Sequence, residues 1–249
     1  MIALIDYKAG NLTSVKKALA TIGADVFVPN TPDELADVAG IIVPGVGHFG
    51  ATRALDQTWI DAILARVGEG RPLFGICLGM QWLFEASDEA PELPGLGLLA
   101  GRCYRLGKVR LKPDTTDGAH DGSGGVRQKA DTTDNTHDGS GSVRPQPDRD
   151  ARSVRLQADP TVKIPHVGWN SLTLQREAPI VDGVDSGSQV YFTHSFVAPV
   201  TGDTVAVTEH GEPFAAVVQR GHVGGVQFHP EKSGDVGLQI LRNFVELAG

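Results

Sequence analysis

Cys77 sits in the run Gly75-Ile76-Cys77-Leu78-Gly79. An apolar, strand-like segment, Pro72 to Ile76, precedes it, and a helix-like segment, Leu78 to Phe84, follows. A residue thrown between a strand and a helix occupies a sharp, strained turn. Small residues two before and two after it give that turn clearance. This is the nucleophile-elbow pattern with cysteine in place of serine. The helix N-terminus would bring the positive end of its dipole to the sulfur, which favours the reactive thiolate.

A nucleophilic cysteine needs a base and a group that orients the base. Late in the chain stands Gln227-Phe228-His229-Pro230-Glu231. His229 and Glu231 are two apart, so an extended backbone projects both to one side. Pro230 marks the exit of a strand. Cys77, His229 and Glu231 are therefore a candidate triad for acyl transfer. The developing oxyanion must also be held. Gly45-Val46-Gly47-His48-Phe49-Gly50 matches G-x-G-x-x-G. It follows a third strand instead of opening the first βαβ unit, and no acidic strand end stands ready for a ribose. A dinucleotide site is set aside on those grounds. The loop instead offers backbone N–H groups beside the elbow, and those of Gly47 and Leu78 are the candidate oxyanion hole.

The elements that must position these residues are legible as alternating apolar runs and helical stripes. Ile2 to Asp6 reads as a buried strand. Asn11 is a good N-cap for a helix with Leu12, Val15, Leu19 and Ile22 on one face, and Gly23 suits its C′ position. Asp25 to Val28 is a second strand. Thr31-Pro32-Asp33-Glu34 reads as a helix start, and Gly40 to Val43 as a third strand. Strands alternating with helices imply a parallel sheet covered on both faces. After Leu98 to Leu106 the later chain is strand-rich: Trp169 to Leu174, Gln189 to Val197, Thr204 to Glu209, Phe214 to Gln219 and His222 to Phe228. Ser233 is placed to cap a last helix with an apolar stripe of Val236, Ile240, Leu241, Phe244 and Leu247. The expected fold is α/β, an open mixed β-sheet flanked by helices.

One stretch breaks this order. From Gly107 to Pro160 there is no Phe, Tyr, Trp, Ile or Glu. Val109-Arg110, Val126-Arg127 and Val143-Arg144 recur every 17 residues, and His120-Asp121-Gly122-Ser123 returns as His137-Asp138-Gly139-Ser140. So little apolar surface does not offset the entropy of ordering, so residues 108–161 are expected to form a disordered repeat insert in a single domain spanning 1–249. The recurring histidines follow from duplication of the unit, and no metal site is expected there. The repeats also lack the apolar residues a solenoid stacks.

With these residues on the page, the chain resembles the glutaminase subunits of imidazole glycerol phosphate synthase, within the class I, triad-type glutamine amidotransferase family. The resemblance rests on Ile5-Asp6-Tyr7-x-x-Gly10-Asn11-Leu12-x-Ser14, Pro44-Gly45-Val46-Gly47 and Gly75-Ile76-Cys77-Leu78-Gly79-Met80-Gln81. It continues through Pro165-His166-Val167-Gly168-Trp169-Asn170, Tyr191-Phe192-x-His194-Ser195 and Gly225-Val226-Gln227-Phe228-His229-Pro230-Glu231-Lys232-Ser233. The elbow and His-Pro-Glu identify the superfamily; the opening Asp-Tyr-x-x-Gly-Asn, the Gly-Trp-Asn and the Glu-Lys-Ser single out the histidine-pathway subunits. The insert is the departure, and it touches none of the motif residues.

The resemblance implies a glutaminase that needs no cofactor or metal. Gln81 and the Ser195-Phe196 backbone would grip the amino and carboxylate groups of glutamine. Ammonia lost to water would be protonated and useless, so the family passes it to a partner. The implied partner is a (β/α)8-barrel cyclase subunit in a heterodimer, which converts PRFAR to imidazole glycerol phosphate and AICAR. Asn11, Trp169 and Lys232 are the implied interface or gate residues.

Composition fits this picture. Of 249 residues, 41% are hydrophobic and 21% charged, a globular balance. A net charge of −8 with no basic stripe argues against a nucleic-acid partner. No apolar run reaches the length of a membrane span. Two cysteines, Cys77 and Cys103, make no disulfide framework, and the start of the chain shows no secretory leader. A cytoplasmic setting is the expectation.

Overall fold

A computed structural model describes residues 1–107 and 162–249. The expected repeat insert lies outside the described residues. The first half alternates strand and helix: β1 (Ile2–Leu4), α1 (Leu12–Thr21), β2 (Val26–Phe27), β3 (Gly40–Gly45), α2 (Gln57–Gly68), β4 (Leu73–Cys77) and α3 (Leu78–Trp82). Two short strands follow, β5 (Phe84–Ser87) and β6 (Leu99–Arg105). Beyond the insert come β7 (His166–Ser171), β8 (Thr173–Leu174), β9 (Gln189–His194), β10 (Phe196–Val197), β11 (Thr204–Glu209), β12 (Pro213–Arg220), β13 (Val223–Val226) and α4 (Gly234–Leu247).

Eight strands make the central sheet, in the order β2-β1-β3-β4-β13-β12-β11-β8. From β2 to β13 the neighbours are parallel; from β13 to β8 they are antiparallel. The parallel strands β1, β3, β4 and β13 are buried along their whole length, as strands covered on both faces must be. Alternation then sorts their side chains between two cores. Ile2, Leu4, Ile42, Phe74 and Ile76 join Val15 and Leu19 of α1 and Phe244 of α4 on one face. Ala3, Ile5, Ile41, Val43 and Leu73 join Leu78, Met80 and Trp82 on the other. The segments on either side of the insert thus build one compact unit, with β4 and β13 adjacent at its centre.

Several local expectations change. Pro32–Leu35 is one 3-10 turn without a side-chain bond from Thr31. Helix α3 stops at Trp82, and Phe84 begins β5 in place of a last helical turn. The run Gln189 to Val197 is two strands: β9 pairs with β7, whereas β10 pairs with β6. Ser233 precedes α4 but does not cap it. Its hydroxyl donates to the His229 carbonyl at 2.6 Å and accepts from the Tyr191 N–H at 3.0 Å, tying the segment after β13 to β9. Asn11 does cap α1, accepting from the Ser14 N–H at 3.2 Å. Among the described residues no helix is long and apolar enough to cross a membrane.

Candidate active site

Cys77 stands where β4 becomes α3, with φ 52° and ψ −106°. Positive φ is costly for a side-chain-bearing residue, and among the described residues only Lys8 shares it. The flanking glycines show why the elbow closes only on small residues. A Cβ on Gly75 would lie 2.5 Å from the Met80 nitrogen, and one on Gly79 would collide with the Val43 carbonyl oxygen. Parallel pairing sets Gly45 opposite Cys77, so the glycine loop leaves β3 directly beside the elbow.

The candidate base follows β13. His229 donates its main-chain N–H to the Tyr191 carbonyl at 2.9 Å, and the Ser233 hydroxyl holds the His229 carbonyl. The imidazole Nδ1 lies 2.9 Å from Glu231 Oε1. Both side chains are buried, 2% and 1% exposed. Burial alone would push the imidazole pKa down. The neighbouring Cys77 and Glu231 outweigh it and lift the value to about 10. Nε2 has no partner at full hydrogen-bond geometry, which leaves it open toward the Cys77 side.

Cys77 opens into a cavity of about 200 Å³, lined also by Gly47, Leu78, Gln81, Glu89, Thr193, Ser195 and Phe196. The residues read from the sequence as nucleophile, oxyanion donors and glutamine grip therefore share one cavity. Gly47 has φ 100°, a conformation glycine adopts freely. The neighbouring Val46 N–H is turned to the Ala9 carbonyl at 3.3 Å. Gln81 is buried, and its amide nitrogen donates to the Phe196 carbonyl at 2.8 Å and to Gln227 Oε1 at 3.2 Å. A larger hollow of about 920 Å³ lies between β8 and the end of α4, and none of the triad lines it.

Three further residues at or beside the cavity escaped the sequence reading. Gln227 is fully buried, and its amide nitrogen lies 3.7 Å from the Cys77 sulfur, linking Gln81 to the elbow. Glu89 brings the cavity a carboxylate, which accepts from the Phe49 N–H at 2.7 Å. His194 lines the cavity too; burial and the neighbouring His166 hold its pKa well below the ordinary value, so it is neutral at physiological pH.

The interface candidates lie outside the cavity. Trp169 is 57% exposed on β7, beside an equally exposed Val167. Its ring meets Tyr191 edge-on at 6.0 Å, and Lys232 Nζ lies 5.6 Å from the centre of the same Tyr191 ring. Asn11 is exposed at the start of α1. Among the described residues no group of three His, Cys, Asp or Glu could hold a metal ion.

Comparison with known proteins identifies the family. The family model "Glutamine amidotransferase class-I" matches residues 3–247. The imidazole glycerol phosphate synthase subunit HisH of Halobacterium salinarum is 40% identical, over 98% of this chain and 92% of its own length. The same subunit of Geobacillus thermodenitrificans is also 40% identical, over 98% and 95%. Among solved structures, one described as a glutamine amidotransferase matches all of both chains with a TM-score of 0.63 at 21% identity. PurLQS from Thermotoga maritima matches with a TM-score of 0.63 at 16% identity, covering 98% of this chain and 97% of its own. At those identities the structures speak for the fold, and the sequence relatives for the family. The chain belongs to the class I glutamine amidotransferases and, among them, to the HisH subunits of imidazole glycerol phosphate synthase.

Proposed function

We infer that this chain hydrolyses glutamine to glutamate and ammonia and hands the ammonia to a partner subunit in histidine biosynthesis. The observation that carries the reaction chemistry is the strained Cys77 elbow facing the same cavity as the Gly47 loop, with the buried His229–Glu231 pair acting on its sulfur. In this reading a charged His229 keeps Cys77 as the thiolate. Glutamine lies in the cavity with its carboxamide over the sulfur. The Gln81 carbonyl oxygen and the Glu89 carboxylate receive its α-ammonium group. The Phe196 and Ser195 carbonyls already accept from Gln81 and from the Leu106 N–H, so the N–H groups of this segment hold the α-carboxylate.

The thiolate attacks the carboxamide carbon, and the Gly47 and Leu78 amides hold the oxyanion. His229 passes its proton to the leaving nitrogen as the carbon–nitrogen bond breaks, which releases ammonia and leaves a thioester. Neutral His229 then takes a proton from water, whose oxygen attacks the thioester. Glutamate leaves and the thiolate is restored. Throughout, Glu231 fixes the ring and balances its charge.

The partner in this reading is a (β/α)8-barrel cyclase that joins the ammonia to PRFAR. It docks over Trp169 and Val167, because an exposed tryptophan beside an exposed aliphatic side chain is the composition of an interface anchor, with Lys232 and Asn11 as the further contacts that the family resemblance implies. The whole chain is one amidotransferase domain interrupted by the 108–161 insert.

The test is Cys77→Ala in the complex with the cyclase subunit. Glutamine-dependent turnover is expected to vanish, while turnover fed with free ammonia persists. Continued glutamate release by the variant would remove Cys77 as the nucleophile. Full activity of the wild-type chain alone would instead point to a free-standing hydrolase.

A further inference from the structure

Tyr7 follows β1 and is buried, 5% exposed, in the core beneath the elbow. A short turn follows it. Lys8 takes φ 63°, outside the ordinary range for its type. Asp6 holds the turn, accepting from the Lys8 N–H at 2.9 Å and from the Lys8 ammonium at 2.6 Å. The Tyr7 hydroxyl ends against Gly45, where any Cβ would collide with it and would lie 2.8 Å from the Leu78 Cβ. It thus sits where the end of β3, leading into the Gly47 loop, meets the first residue of α3. Yet this hydroxyl has no hydrogen-bond partner in the protein. Its pKa is raised by burial and by the Cys77 charge, so it stays a neutral donor.

Core packing explains the ring but not the oxygen, because phenylalanine would fill the same space without a buried, unpaired hydroxyl. A strained residue, an obligatory glycine and an unpaired donor converge on one point beside the oxyanion loop. Such conflicts are tolerated where a group serves the reaction. We propose that Tyr7 is a positioning residue for glutamine hydrolysis: its hydroxyl is a donor reserved for the main chain of Gly45–Gly47, and the bond forms as that segment closes on the tetrahedral intermediate. The inference rests on the glutaminase reading above and adds to it a residue that contacts no substrate.

The test is Tyr7→Phe in the complete complex with the cyclase subunit and its ligand. One hydrogen bond made only in the transition state predicts a fall in kcat of roughly 5- to 20-fold with KM within about twofold of wild type. Glutamate γ-semialdehyde, an aldehyde that adds to Cys77 as a tetrahedral adduct, should bind weaker by the same factor. The Tm should hold or rise, because the variant no longer buries an unpaired hydroxyl. A second arm places 3-fluorotyrosine at position 7, which keeps the hydroxyl and should keep kcat within about threefold. The inference is overturned if kcat of Tyr7→Phe stays within about twofold of wild type, or if aldehyde affinity does not change. It is equally overturned if Tm falls in step with activity, or if fluorotyrosine behaves like phenylalanine. The wild-type complex is scored first: no glutamate release there would sink the glutaminase reading itself, and this inference with it.

Discussion

Glu231→Gln isolates the charge of the third member of the proposed triad from its shape. Glutamine is nearly isosteric and can still accept a bond from His229 Nδ1, so the ring keeps its place while the negative charge is lost. The magnitude follows from the geometry. A unit charge pair at 2.9 Å interacts by about 6 kcal/mol at an effective dielectric of ~20. That is an upper limit, since the vacated site relaxes; removing one member of a buried pair generally costs about 3–5 kcal/mol. The loss falls on the step in which His229 carries positive charge, so kcat should drop by roughly 10²- to 10⁴-fold. The assay is glutamate release by the complex with the cyclase subunit, with ammonia-fed turnover as the control for an intact assembly. A drop smaller than about tenfold, with ammonia-fed turnover normal, would refute the view that Glu231 acts through its charge.

The same variant has a signature in stability. The folded His229 pKa is raised to about 10 from an ordinary 6.5. A raised pKa means that the folded state holds the proton more tightly. The stabilisation is therefore complete below pH 6.5 and is lost as pH rises through about 10. Wild-type protein should lose resistance to urea across that window. Glu231→Gln should start lower at neutral pH and decline less, because only the Cys77 influence remains.

Two further predictions concern the frame and the docking face. Phe244 is buried and stacks on Phe74 with ring centres 5.1 Å apart. Phe244→Ala should cost about 3–5 kcal/mol in a urea melt, and a loss under about 1 kcal/mol would contradict the packing described. Trp169 is more than half exposed in the isolated chain and belongs to neither core, so Trp169→Ala should lower its Tm only slightly. Titration with the cyclase subunit should show affinity weakened by at least about tenfold; unaltered affinity would move the interface elsewhere.

The readable parts of this protein are those whose signal is local. Cys77 was legible because an elbow needs glycines at fixed offsets, and Gly75 and Gly79 are closely opposed to other backbone. His229 and Glu231 were legible as a pair, but not through an extended backbone: β13 ends at Val226 and Pro230–Lys232 is a 3-10 turn, and it is this turn that sets Glu231 against the His229 ring. Buried runs such as Gly40 to Val43 betrayed strands covered on both faces. The missed features depend on contacts between distant segments. Glu89 meets Phe49 from 40 residues away, and Gln227 meets Gln81 across 146. Neither shows locally as anything but an ordinary polar residue. The split of Gln189 to Val197 is of the same kind: alternation marks a strand but does not name its neighbour, and here the neighbour changes at Ser195. Ser233 misled because a serine before a helix is normally free to cap it, whereas this one is committed to His229 and Tyr191.

Among the described residues, the buried side-chain atoms without a hydrogen-bond partner are Tyr7 Oη, His194 Nδ1, His229 Nε2 and Glu231 Oε2. All four belong to residues that line the Cys77 cavity, form its base pair or pack beneath its elbow. Folding alone gives no reason for that concentration. Each unpaired polar group lowers stability, and the rest of the core, with Gln219 and Asn243 fully engaged, shows that this chain can satisfy buried amides. Catalysis does give a reason. A base whose Nε2 were tied to a spectator group could not exchange a proton in turn with the sulfur, the leaving nitrogen and water. A donor already satisfied at rest could not favour the transition state over the ground state. In the proposed reading the unpaired atoms mark the reaction centre more sharply than cavity size does, since the hollow of about 920 Å³ beside α4 is lined by none of the triad.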